Sequence, residues 1–190
     1  MYMEWTYART ENFNSALNWD TSKVTRMDSV FHYAAAFNSE LYWDTSSVTT
    51  MHRTFYKAKA FNQPLNWDTS KVTSFVEAFR GAKAFDQAVG DWDVAKVFWA
   101  NDFANAFDST ALSGNDCLKS DTFFSWATMQ KNTAFKTAYA SWEKERSSGR
   151  LRARDTDFFH GTCKNARLRL DAEAPADGKV AELEAKLTAA

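Results

Sequence analysis

The sequence predicts an α/β solenoid, a stack of strand–turn–helical-turn coils of about 24 residues each. Three observations predict it. The dipeptide Trp-Asp recurs at Trp19-Asp20, Trp43-Asp44, Trp67-Asp68 and Trp92-Asp93, at steps of 24, 24 and 25 residues. Other positions keep that beat: Phe13, Phe37, Phe61 and Phe85; Phe31, Phe55, Phe79 and Phe103; Val24, Val48, Val72 and Val97; Ala34, Ala58 and Ala82. The chain of 190 residues is also 45% apolar, with 16 Phe and 8 Trp against 6 Gly and 2 Pro. That composition supports one domain with a real core, and argues against wholesale disorder and against a loop-rich all-β protein. A period of this length is too short for two packed helices and fits the leucine-rich class of coil.

Within one period the apolar spacing changes character. Val24, Met27, Phe31 and Ala34 fall at steps of three, four and three, which predicts one face of a helical segment or a 3₁₀ turn. Asp20, Thr21 and Ser22 precede it as N-cap residues. Thr25, Thr49 and Thr73 pull the other way, since β-branched residues favour a short extended piece. Phe37, Leu41 and Trp43 share one face at even spacing, a strand pattern. Stacked coils would align Trp19, Trp43, Trp67 and Trp92, then Phe31, Phe55 and Phe79, then Phe37, Phe61 and Phe85, into continuous columns.

The repeat resembles a known family. The segments 19–41, 43–65 and 67–89 look like the BspA-like, leucine-rich-repeat-type repeat of bacterial surface lipoproteins, mycoplasma ones included, which also occurs in algae and protists. The run Phe61-Asn62-Gln63-Pro64-Leu65-Asn66-Trp67-Asp68-Thr69-Ser70-Lys71-Val72-Thr73 fits it closely. The resemblance covers residues 3–112 and, more loosely, 112–142. It implies a solenoid used for adhesion or protein interaction, and implies no catalytic residues.

Three regions follow: a repeat solenoid over 1–112, a helical cap over 113–142 and a charged tail over 143–190. Counting back one period from Met27, Phe31 and Phe37 reaches Met3, Tyr7 and Phe13, so the first coil is expected to be incomplete and to lack a polar cap. A fragment, or a subunit whose first coil a stacking partner covers, would explain that. In the cap, 111–116 reads as a turn and 118–142 as helical, with Phe123, Phe124, Trp126, Phe135, Tyr139 and Trp142 covering the last coil. In the tail eight Lys and Arg face four acids over 143–170, and Val180, Leu183 and Leu187 mark a marginal helix. Phe158 and Phe159 are the aromatic anchor there.

Net charge of −1 argues against a nucleic-acid partner. No apolar run approaches the ~20 residues that cross a bilayer. Cys117 and Cys163 lack zinc spacing; a disulfide between them and two free thiols both remain open. The Asp column Asp20, Asp44, Asp68 and Asp93 reads as capping rather than calcium binding, because glycine is absent from these turns. Asn14, Asn38 and Asn62, with Asp86, are expected to bond the neighbouring coil's backbone. No nucleophile, phosphate-loop, dinucleotide or zinc-protease motif is present, so no enzyme activity and no cofactor are expected. What remains is surface. Strand residues between the inward positions should point outward and bind a protein partner: Asn18, Glu40, Tyr42 and Asn66, with Tyr42 beside Glu40 the best anchor. Two settings suit such a module, the cell surface and an organellar assembly.

Overall fold

The computed structural model describes residues 1–115, Lys119, Thr122, Trp126 and residues 130–147. All of them lie in the unit Met1–Arg154. Segments one period apart lie over one another. Parallel bridges join Tyr2 to Arg26, Arg26 to Thr50 and Thr50 to Ser74. Trp19 stacks on Trp43 at 6.2 Å between ring centroids and Trp43 on Trp67 at 6.4 Å. Phe31, Phe55 and Phe79 stack at 5.2 and 5.1 Å, and Phe37, Phe61 and Phe85 at 5.9 and 6.1 Å. These rings, with Val24, Val48, Val72, Leu41 and Leu65, form one buried apolar cluster.

The local elements differ from those expected. Among the described residues of 1–99 there is neither a helix nor a named strand. The segment 51–58 shows what replaces them. Met51, Arg53, Phe55 and Lys57 donate their N–H groups to Ser74, Val76, Ala78 and Arg80 of the next coil. Thr54, Tyr56 and Ala58 donate three residues back, to Met51, Arg53 and Phe55. The His52 N–H reaches the Asp28 carboxylate at 3.2 Å. Every backbone donor in the segment is therefore used, five between coils and three within tight turns. Arg53 and Lys57 have φ of 56° and 57°, the sign a type II turn needs at its third residue, and such residues stop an α-helix. The same conformation recurs at Trp5 and Arg9, Ser29 and Tyr33, Glu77 and Gly81, and Asn105 and Ser109. Apolar steps near four thus come from linked turns, not from a helix.

The segment 37–43, expected as a strand, is not a named strand, and among the described residues its backbone makes no hydrogen bond to the backbone of another coil. Its coils are joined through asparagine: the Asn38 N–H donates to Asn14 Oδ1 at 2.8 Å, Asn62 to Asn38 Oδ1 at 2.8 Å, and Asp86 to Asn62 Oδ1 at 2.9 Å. The aspartates close two-residue turns, Asp20, Asp44 and Asp68 accepting from Ser22, Ser46 and Ser70 and Asp93 from Ala95. Thr21, Thr45 and Thr69 hydroxyls donate to the carbonyls of Asp44, Asp68 and Asp93, tying each turn to the next.

The fourth period is longer. Phe79 stacks on Phe107 at 5.6 Å and Phe75 on Phe103 at 6.0 Å, so the spacing there is 28 residues. Phe103 therefore does not continue the Phe31, Phe55, Phe79 column; it stacks on Phe75, in the row of Met27 and Met51. The added length carries a buried Gly90 and a 3₁₀ turn at Ala100–Phe103. Trp92 packs on Phe75, Phe79 and Trp126 at 5.7, 6.0 and 6.4 Å. Beyond it come α1 (Ala111–Gly114), α2 (Thr133–Ala138) and α3 (Ala140–Ser147). The turn expected at 111–116 is thus in part a short helix, whose Thr110 cap accepts from Ser113. Asn132 caps α2 through Phe135 N–H, and its amide donates to Val94 and Val97 carbonyls. Gln130 both donates to the Trp92 carbonyl and accepts from Val94 N–H, and the Tyr139 hydroxyl accepts from Phe107 N–H at 3.1 Å. Among the described residues no helix is long and apolar enough to cross a membrane.

Candidate functional site

The outward positions read from the sequence are exposed: Asn18, Glu40, Tyr42 and Asn66 all face solvent, Tyr42 at 84%. The Tyr42 hydroxyl donates to Glu40. That contact, named first among the causes, raises the phenol's pKa. Phe158, Phe159, Cys117 and Cys163 lie outside the described residues.

A different set converges. Arg9, Glu11, His32, Tyr33, Arg53 and Tyr56 line a shallow groove of about 480 Å³. The linked turns place them. Each turn sends one residue into the phenylalanine columns, and the positions beside it form three further columns over the turns: Trp5, Ser29, Arg53 and Glu77; Ala8, His32, Tyr56 and Arg80; Arg9, Tyr33, Lys57 and Gly81. Adjoining positions repeat as Tyr or Phe at 7, 31, 55 and 79 and as Ala at 34, 58 and 82, whereas these columns change residue in every coil. That contrast was present in the sequence. It was missed because a helical reading assigns these positions to a solvated helix face.

The groove is held by charge and rings. Arg53 Nε donates to Glu77 at 2.6 Å, and Arg80 also binds Glu77, whose side chain is 8% exposed. Burial acts to raise the Glu77 pKa, but the hydrogen bonds from both arginines outweigh it and hold the carboxyl below its usual range. Lys57 Nζ donates to the Tyr33 hydroxyl at 2.9 Å and sits 4.8 Å from the Tyr33 ring centre and 5.2 Å from that of Tyr56. Their hydrogen bond lowers the Tyr33 pKa and raises that of Lys57. His32 stacks on Tyr56 at 5.0 Å and meets Trp5 edge-on at 5.1 Å. Burial first, then Arg53, Arg9 and Lys57, pushes His32 below its ordinary pKa, so it is neutral at pH 7. Its buried Nδ1 has no hydrogen-bond partner. Among the described residues no group of three or more His, Cys, Asp or Glu could hold a metal ion. The arrangement offers cations, two tyrosine faces and a neutral imidazole to a ligand.

The repeated part of the chain falls under one family description. The model for "Mycoplasma protein of unknown function, DUF285" matches residues 1–120, and the chain belongs to that family. No curated protein and no solved structure matches it.

Proposed function

We propose that the chain is a non-catalytic protein-interaction and adhesion module, a leucine-rich-repeat-like solenoid of the BspA-like surface type. The observation that carries this reading is the division of labour along the repeat. Positions that bury rings or join coils recur from one coil to the next, whereas His32, Tyr33, Arg53 and Tyr56, at positions that do not recur, meet in one groove. Repeat arrays bind through such variable surface positions, and tyrosine and arginine are the residues that dominate interface energetics. The test is capture from native material with three baits: the wild type, Tyr33→Ser/Tyr56→Ser, and Tyr42→Ser. A partner held by wild type and Tyr42→Ser and lost from the groove variant supports the reading. Equal recovery on all three, or no partner on any, refutes it.

One observation favours a second reading, a subunit docked in a larger assembly through its first coil. The carbonyls of Tyr2, Glu4, Thr6 and Ala8 accept no hydrogen bond among the described residues, whereas their equivalents Arg26, Asp28, Val30 and His32 all do. Trp19 is 40% exposed although Trp43 and Trp67 are buried. Such an edge accepts a coil that donates N–H groups at alternate positions. Crosslinks to a second protein concentrated at residues 2–8 would distinguish this reading from groove binding.

A further inference from the structure

The groove's charges are unevenly spent. Glu77 already takes up Arg53 and Arg80. Arg26, outside the groove, is paired with Glu4 and Asp28. Arg9 forms no ion pair among the described residues, and Lys57 is bonded to a phenol, which carries no charge to neutralise it. Three cations, Arg53, Arg9 and Lys57, bear on His32 against one carboxylate, Glu77, and only Glu11 adds negative charge to the lining. The tyrosine rings, 5.6 Å apart and tilted at 51°, stand beside these cations, Tyr56 stacked on His32 and Tyr33 the more exposed of the two. His32, 7% exposed, keeps a buried ring nitrogen for which the fold supplies no partner.

We propose that this groove binds an acidic, aromatic segment of a partner protein, its carboxylates against Arg9 and Lys57 and its ring against Tyr33 and Tyr56. The proposal rests on the interaction-module reading and names the chemistry of the partner. Charge complementarity selects the carboxylates, since an unpaired cation beside a low-dielectric wall attracts an anion more strongly than one in open water. The tilted ring pair selects the aromatic group, which packs offset or edge-on against such faces.

The test uses the full chain and fluorescence anisotropy. The probes are a labelled decapeptide alternating Glu and Tyr, its Lys/Tyr counterpart and a heparin octasaccharide. The Glu/Tyr peptide should bind, and binding should weaken as salt is added. Arg9→Gln/Lys57→Gln should weaken it by about 10-fold or more, the effect of losing two charge contacts. Lys83→Gln, outside the groove, should bind as wild type does. Thermal melting of each variant separates lost binding from lost folding. The proposal is overturned if the Glu/Tyr peptide does not bind, if the double variant binds it equally well, or if the Lys/Tyr peptide competes. Binding of heparin alone would assign the groove to an anionic saccharide and equally overturn it. A native partner that wild type holds and Tyr33→Ser/Tyr56→Ser loses would still support the broader reading if the Glu/Tyr peptide failed to bind, so the two failures remain distinguishable.

Discussion

Trp43 and Trp67 occupy equivalent places, each 6% exposed, yet one atom fares differently in the two. The Trp43 indole N–H donates to the Leu17 carbonyl at 3.2 Å, as that of Trp92 does to Leu65, whereas the buried Trp67 N–H has no partner. Truncating Trp67 to alanine should cost roughly 3–5 kcal/mol, because a large ring leaves a cavity between its neighbours in the column. Substitution by phenylalanine separates ring from hydrogen bond: Trp43→Phe should cost about 1 kcal/mol more than Trp67→Phe. Equal urea midpoints for the two phenylalanine variants would show that the N–H bond adds nothing. At Glu77 the folded-state pKa lies below the ordinary value, so its contribution is complete above the carboxylate range and is lost as pH falls through the folded-state value. His32 and His52 are depressed as well, chiefly by burial and then by Arg53, so their contribution fades as pH drops below about 6.5. Stability should therefore fall on acidification in two stages, and Glu77→Gln should flatten the lower one. Denaturant midpoints measured from neutral to acid pH check this, and a flat profile would contradict it.

At the scale of the element, the linked turns explain why the chain has so little regular secondary structure and still uses its backbone donors. Donors alternate between the neighbouring coil and the local turn, which requires a left-handed residue every fourth position. Gly81 is one of these, at φ 74°, and a Cβ there would lie 3.0 Å from Lys57 Cγ. Arg9, Tyr33 and Lys57 hold side chains at the same place, so Gly81→Ala should cost only about 1 kcal/mol, through crowding and the usual left-handed penalty. The extended side depends instead on asparagine. Asn38→Ala would leave the Asn62 N–H without its acceptor, and should cost about 1–2 kcal/mol by thermal or urea unfolding. An unchanged midpoint would mean that water replaces the amide. The asparagine links and the aspartate turns were legible in the sequence, since a polar residue repeated beside a buried ring must satisfy the same backbone group each time. The choice between a helix and a 3₁₀ turn was not legible, because apolar steps of three and four do not distinguish either from tight turns whose remaining hydrogen bonds are made to the next coil.

Across the whole described unit, the phenylalanine columns run from Tyr7 and Phe13 to Phe107 and are closed by Phe135, Tyr139 and Trp142. A chain ending at residue 115 would lose the partners of Trp92, Val94, Val97 and Phe107 together with that apolar cover. It should lose cooperative melting by calorimetry, because a stack is held by neighbour contacts and is weakest at an uncovered end. A truncated chain that melts like the full one would show that the cap is dispensable. By itself the sequence determined the period, the buried rings that keep it and the polar residues that join one coil to the next, because each coil meets nearly the same surroundings and so needs the same side chains. Only the tertiary structure decided that the turns are not helices, that Phe107 rather than Phe103 continues the column, and that Arg9, His32, Tyr33, Arg53 and Tyr56 meet. Those outcomes depend on hydrogen bonds between residues about 24 positions apart and on the length of one irregular period, neither of which local spacing encodes.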